Sequence, residues 1–123
     1  MEFDALSKRV IGCAIEVHRE LGPGLLESAY EACLAHELAL CDVAFVRQQT
    51  LAVNYKGLIV DCGYRLDLVV DDSLLVELKS VEKLLPIHEA QLLTYMKLFG
   101  ATTGLLLNFN EMRLRDGIKR FVL

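Results

Sequence analysis

Arg65-Leu66-Asp67-Leu68-Val69-Val70, a tight turn at Asp71-Asp72-Ser73, and Leu75-Val76-Glu77-Leu78-Lys79-Ser80 read as a β-hairpin. One strand carries an Asp and the next a Glu-x-Lys. Alternation along a strand puts residues i and i+2 on one face, ~6.6 Å apart. Glu77 and Lys79 therefore point the same way, and Leu78 points into the opposite layer. With Asp67 across from them, two carboxylates and one ammonium meet at one spot. Two carboxylates invite a hard divalent cation such as Mg²⁺ or Mn²⁺, and a Lys beside it can hold or activate a water. On an open face, that chemistry cuts phosphodiesters.

Upstream of the hairpin, Phe3, Leu6, Val10, Ala14, Val17 and Leu21 recur at three- and four-residue steps, which predicts an amphipathic helix over 2–21. Gly22-Pro23-Gly24 stops it. A second helix is expected over 25–40, with Leu26, Tyr30, Cys33, Leu34 and Leu38 as its apolar set. From Val43 the pattern favours strands, with a turn at Tyr55-Lys56-Gly57 before the strand that ends in Asp67.

Downstream, Pro86 suits the first turn of a helix over 87–99, and Gly100 suits its end. Gly104-Leu105-Leu106-Leu107-Asn108-Phe109 is an uninterrupted apolar strand, expected parallel to the strand before that helix. Residues 118–123 form a last edge strand. The order α-α-β-β-β-α-β-(β) predicts one α/β or α+β domain over 1–123, with a mixed sheet and a helical layer.

The chain has 123 residues, of which 54% are hydrophobic and 24% charged, a balance that excludes disorder. No apolar run reaches the ~20 residues of a membrane helix, so no membrane association is expected. The acidic start, Met1-Glu2-Phe3-Asp4, has no apolar signal region, which points to the cytoplasm. Cys13, Cys33, Cys41 and Cys62 lack both Cys-x-x-Cys and zinc-finger spacing and read as reduced thiols. The net charge of −4 argues against non-specific coating of nucleic acid, although Arg113, Arg115, Lys119 and Arg120 form a basic cluster. No nucleophile elbow, Gly-rich phosphate loop or Ser-His-Asp order supports a small-molecule hydrolase.

A sheet bearing Asp…Glu-x-Lys, followed by a helix and a buried strand, resembles the PD-(D/E)XK nuclease superfamily. Gly24-Leu25-Leu26-Glu27-Ser28-Ala29-Tyr30 resembles the signature of its GxxExxY branch. Gly63-Tyr64-Arg65-Leu66-Asp67, Glu77-Leu78-Lys79, His88-Glu89-Ala90-Gln91-Leu92-Leu93-Thr94-Tyr95 and Asn108-Phe109 follow in order. The resemblance covers nearly the whole chain. Leu66 stands where the superfamily pattern has Pro.

The resemblance implies a restriction-endonuclease-like core. It implies Mg²⁺ held by Asp67 and Glu77, with Lys79 orienting the attacking water; the Leu78 carbonyl is a natural further oxygen ligand for a hard cation. Glu27 completes the metal set, and Gln91 and Tyr95 correspond to a Gln-x-x-x-Tyr of the exonuclease-like branch.

Each assignment has a plainer alternative. Asp67 can be a solvent-face Asp paired with Arg65 or Lys79, and Glu77 and Lys79 a surface charge pattern. Glu27 is favoured in a first helical turn by the macrodipole alone. Gln91 and Tyr95 can be an interfacial polar pair. Tyr30, Arg65, Tyr95 and His88 are candidate substrate contacts, Arg65 through its planar fork. His18 and His36 read as structural or exposed.

The expected function is metal-dependent cleavage of DNA or RNA. The alternative is a catalytically silent nuclease-like module that binds nucleic acid or protein. Apolar edges on so small a domain leave room for a homodimer or a partner protein.

Overall fold

Two turns shape the sheet. Lys56 and Gly57 both take positive φ, 50° and 92°, so a two-residue loop joins paired residues Tyr55 and Leu58. The Asn54 carboxamide accepts the Gly57 N–H at 3.0 Å and closes it. The second turn is Asp71-Asp72-Ser73. Both Asp residues are left-handed, as Asp tolerates, and Ser73 N–H donates to the Val70 carbonyl at 3.1 Å.

The computed structural model describes residues 4–123. The elements run α1 (Ala5–Leu21), α2 (Glu27–Leu40), β1 (Phe45–Tyr55), β2 (Leu58–Val70), β3 (Leu74–Lys79), α3 (Pro86–Phe99), β4 (Thr103–Asn108), a short 3₁₀ turn (Leu114–Gly117) and β5 (Ile118–Val122). The strands form one sheet in the order β1-β2-β3-β4-β5. β3 and β4 are parallel, with α3 as the crossover; the other pairs are antiparallel. Three helices and a five-stranded mixed sheet make an α+β fold consistent with a restriction-endonuclease-like core.

Alternation along the inner strands separates two cores. Leu74, Val76, Leu78, Leu105 and Leu107 pack with Val10, Ala14 and Val17 of α1 and Tyr30, Leu34 and Leu38 of α2. Leu75 and Leu106 face the other way, against Leu92 and Met96 of α3. Both faces of β3 and β4 are thus covered, so their sequences are nearly continuous apolar runs. Each fully buried Leu contributes about 1.5–3 kcal/mol.

Helix ends follow local chemistry. Asp4 caps α1: its Oδ1 accepts Ser7 N–H at 2.8 Å, and Arg120 of β5 donates to Oδ2 at 2.8 Å. Pro86 is the first residue of α3, and Gly100, at φ 89°, ends that helix with its N–H on the Met96 carbonyl at 2.9 Å. Phe3 lies outside the described residues, and α1 starts at Ala5 rather than residue 2. α2 starts at Glu27 rather than residue 25, so Leu26 precedes the helix and is 76% exposed, not part of the buried stripe. β4 ends at Asn108, one residue before the expected Phe109.

Candidate active site

Leu68–Val76 is the last paired rung between β2 and β3 on the side of the site. Beyond it the strands fork, and carboxylates stand in for strand carbonyls. Asp67 N–H donates to Glu77 Oε1 at 3.0 Å, and Leu78 N–H donates to Asp67 Oδ2 at 2.9 Å. Backbone donors left by the end of a ladder need such partners.

The fork has a counterpart on β1. Arg47 pairs with Leu68 and Gln49 with Leu66, but the intervening Gln48 turns to φ 52° opposite Asp67. The buried Glu31 of α2 holds that kink. Its Oε1 accepts Gln48 Nε2 at 2.6 Å, and its Oε2 accepts Arg47 Nη2 at 3.1 Å. Leu66 packs on the α3 side, whereas Leu68 and Val70 pack on the α1/α2 side, so strand alternation slips at Asp67.

Glu77 is 7% exposed. Burial first, then the charge of Asp67, pushes its carboxyl up to about 8; the Asp67 N–H and Lys79 pull the other way. Glu27 is also raised, by burial first. Lys79 lowers it and Asp67 raises it, which places Glu27 beside the same group of charges. Lys79 is half-buried and makes no ion pair among the described residues.

Three loops hold these groups in place. Ser80 Oγ donates to the Leu25 carbonyl at 2.6 Å and ties the end of β3 to the approach of α2, where Glu27 opens the helix. Tyr30 Oη donates to the Gly22 carbonyl at 2.5 Å and accepts Leu25 N–H at 3.1 Å. The buried Asn108 clasps the chain after Lys79: its Nδ2 donates to the Val81 carbonyl at 2.9 Å and its Oδ1 accepts Val81 N–H at 3.1 Å. Phe109 N–H donates to the Lys79 carbonyl at 2.9 Å.

Of the residues singled out from the sequence, Asp67, Glu77, Lys79 and Glu27 lie together. Tyr95 on α3 is close enough to the hairpin that burial, then the charge of Glu77, raises its phenol, with Asp67 a smaller cause. Gln91 Nε2 donates to Tyr95 Oη at 3.1 Å, and both line an open groove. Arg65 is exposed on β2.

One expectation is overturned. Tyr30 has no exposed surface and stacks on Phe109 at 4.6 Å, so it braces the loop before Glu27 and cannot touch a substrate. His88, half-buried at the start of α3, uses Nδ1 as a cap: it accepts Leu85 N–H at 3.0 Å, and Nε2 takes no part in that bond. Three of the four residues of the basic cluster are ion-paired: Lys119 with Glu89, Arg120 with Asp4 and Arg113 with Asp116.

Glu31 and Asn108 had no assigned role in the sequence reading. Glu31 follows Glu27 by one helical turn, but its partners Arg47 and Gln48 are distant in sequence. Asn108 was visible as a polar residue ending an apolar strand.

The oxygens fit a hard cation. Asp67 and Glu77 each use one oxygen on a backbone N–H, which leaves each carboxyl a second oxygen. Within a strand a residue's N–H and C=O point to the same edge. The Leu78 carbonyl therefore faces the fork, as its N–H does. No group of three or more His, Cys, Asp or Glu side chains forms a ready-made metal cage among the described residues. Two carboxylates and a carbonyl suit Mg²⁺, which keeps several waters and takes further ligands from a phosphate.

The four cysteines are free, and no helix among the described residues is long and apolar enough to cross a membrane. No curated protein and no solved structure matches the chain at a significant level. The family model for the PD-(D/E)XK nuclease superfamily matches residues 4–121. With its forked hairpin of Asp67, Glu77 and Lys79 and a match along almost its whole length, the chain belongs to the PD-(D/E)XK nuclease superfamily.

Proposed function

We propose that this chain acts as a single-domain, cytoplasmic, metal-dependent nuclease of the GxxExxY branch, hydrolysing phosphodiesters in DNA or RNA. Superfamily membership implies a nucleic-acid substrate, and its members generally use divalent metals. The observation that carries the reading is the fork itself: Glu77 is buried against Asp67 with Lys79 on the next position of its face, and its carboxyl is pushed up to about 8. Such crowding of like charges costs stability unless a cation balances it, and it clusters at functional sites.

Asp67, Glu77 and the Leu78 carbonyl would hold Mg²⁺ or Mn²⁺, with Glu27 reaching it through water. When bound, the cation supplies polarisation of the scissile phosphate and acidification of a coordinated water. Lys79 donates to that water or to a phosphate oxygen and offsets developing negative charge. Arg65 contacts an adjacent phosphate. Gln91 holds the Tyr95 hydroxyl on α3.

The test is cleavage of labelled DNA and RNA, single- and double-stranded, with Mg²⁺ or Mn²⁺. Wild type cleaves at least one of them; Asp67→Asn and Lys79→Ala do not. Wild-type activity no greater than that of these variants contradicts the proposal.

A silent module, acting with a partner protein or as a homodimer, is favoured by one observation: the described acidic residues form no three-ligand cage. That reading predicts no metal binding at millimolar concentration.

A further inference from the structure

Beside the carboxylates, β1, β2 and α3 border an open groove of about 450 Å³ lined by Val53, Tyr64, Ile87, Gln91, Tyr95 and Leu98, among others. Tyr64 is 43% exposed, and its ring stands 6.1 Å from that of Tyr95 with a 54° tilt. Tyr64 lies three residues before Asp67 on β2, roughly 10 Å along the strand. Tyr95 packs against Tyr64 from α3, and burial, then the charge of Glu77, raises its phenol, with Asp67 a smaller cause. The ring pair therefore adjoins the position a scissile phosphate takes.

The lining decides what fits. No Lys or Arg lines the groove, so it offers no positive charge to a phosphate. It has aromatic faces, apolar walls and a few polar atoms on Gln91 and Thr94. Those features suit a flat ring with polar edges. The cation beside the carboxylates is Lys79 on β3, outside the groove lining.

We propose that Tyr64 and Tyr95 form a stacking platform for an unpaired nucleobase next to the scissile phosphate, making single-stranded nucleic acid the substrate class. In a duplex both faces of a base are covered by its neighbours, so a base reaches Tyr64 only from a single strand or an opened end. Stacking also answers the charge problem. With a net charge of −4 the chain has little non-specific attraction for a polyanion, and stacking is independent of that charge. The inference rests on the nuclease reading for where the phosphate sits, but its test needs no cleavage.

Fluorescence anisotropy is measured in a Lys79→Ala background with Mg²⁺, so that no probe is consumed. The probes are labelled oligothymidylate, oligouridylate, oligothymidylate interrupted by abasic positions, and a duplex of equal length. Adding Tyr64→Ala weakens binding of the base-bearing single strands by about five- to a hundredfold, the size expected for one stacked base. Adding Tyr64→Phe instead retains binding, and circular dichroism verifies the fold of each variant. The abasic probe binds weakly with or without Tyr64. Comparing thymidylate with uridylate tells DNA from RNA, and Tyr64-dependent binding of either supports the platform.

The proposal is overturned if Tyr64→Ala leaves affinity unchanged, if abasic and base-bearing probes bind alike, if the duplex binds as tightly as the single strand, or if no probe binds. Cleavage by wild type together with Tyr64-independent binding removes the platform and leaves the nuclease reading intact. Tyr64-dependent binding without cleavage by wild type does the reverse.

Discussion

Glu77 accepts the Asp67 N–H at 3.0 Å while Asp67 accepts the Leu78 N–H at 2.9 Å, each carboxylate filling a place where the β2–β3 ladder has ended. This exchange fixes both side chains without extra elements. It also brings two acidic groups together where water is scarce. The resulting electrostatic strain is the property most open to measurement.

Stability should fall with rising pH in metal-free protein. Folded Glu77 keeps its proton up to about pH 8, against 4.5 for the unperturbed group. Between those values the unfolded chain binds fewer protons than the folded chain, so stability decreases across that window. The stabilisation is fully present below about pH 4.5 and lost above about pH 8. Glu77→Gln removes the dependence and stabilises the protein at pH 8 by on the order of a few kcal/mol. Thermal melts from pH 4 to 8 check this, and Mg²⁺ should raise the wild-type melting temperature chiefly at the alkaline end.

Lys79→Ala should take cleavage below detection, a fall in kcat of more than about a hundred- to a thousandfold, the usual cost of removing one preorganised charge-stabilising group. Because Lys79 is half-buried and unpaired among the described residues, the melting temperature should move little. Steady-state kinetics and a thermal melt on the same sample separate the two effects. A large loss of stability would assign Lys79 a structural role.

Asn108→Ala should destabilise the fold by about 2 kcal/mol, because both main-chain groups of Val81 lose their buried partner. The urea midpoint should drop with an unchanged slope. The clasp follows Lys79 directly, so activity at low temperature should fall as well.

Asp4→Ala should cost about 1 kcal/mol through the lost cap of α1. The Ser7 N–H is the largest cause holding the Asp4 carboxyl down to about 2 from 3.8, with Arg120 contributing. This stabilisation is present above pH 3.8 and lost as pH falls through about 2. Denaturation midpoints of variant and wild type should therefore converge in strong acid.

The parts of the fold governed by nearby residues were legible in the sequence. Pro86 and Gly100 bound α3 because proline and glycine act through local backbone geometry. The parallel β3–β4 pair followed from an unbroken apolar strand after a helix. The Glu77/Lys79 pairing followed from strand alternation.

What depends on distant partners was not legible. A helical wheel places Glu27 and Tyr30 on neighbouring faces but cannot say which meets the core, and Tyr30 is sealed while Glu27 is exposed. Nothing local to Gln48 shows that Glu31 draws it out of the ladder. The fork at Leu68 and Val76 is likewise a product of three strands and α2 acting together. Asp67 sits where strand alternation slips, which no period-two pattern reveals.

Calorimetric titration of metal-free protein with Mn²⁺ at pH 7 tests most directly whether the fork is built for a cation. Wild type should bind saturably with proton release, because Glu77 must ionise to become a ligand, and Asp67→Asn should lose that binding. No saturable binding to wild type, or binding that Asp67→Asn leaves intact, would contradict the metal role of the fork.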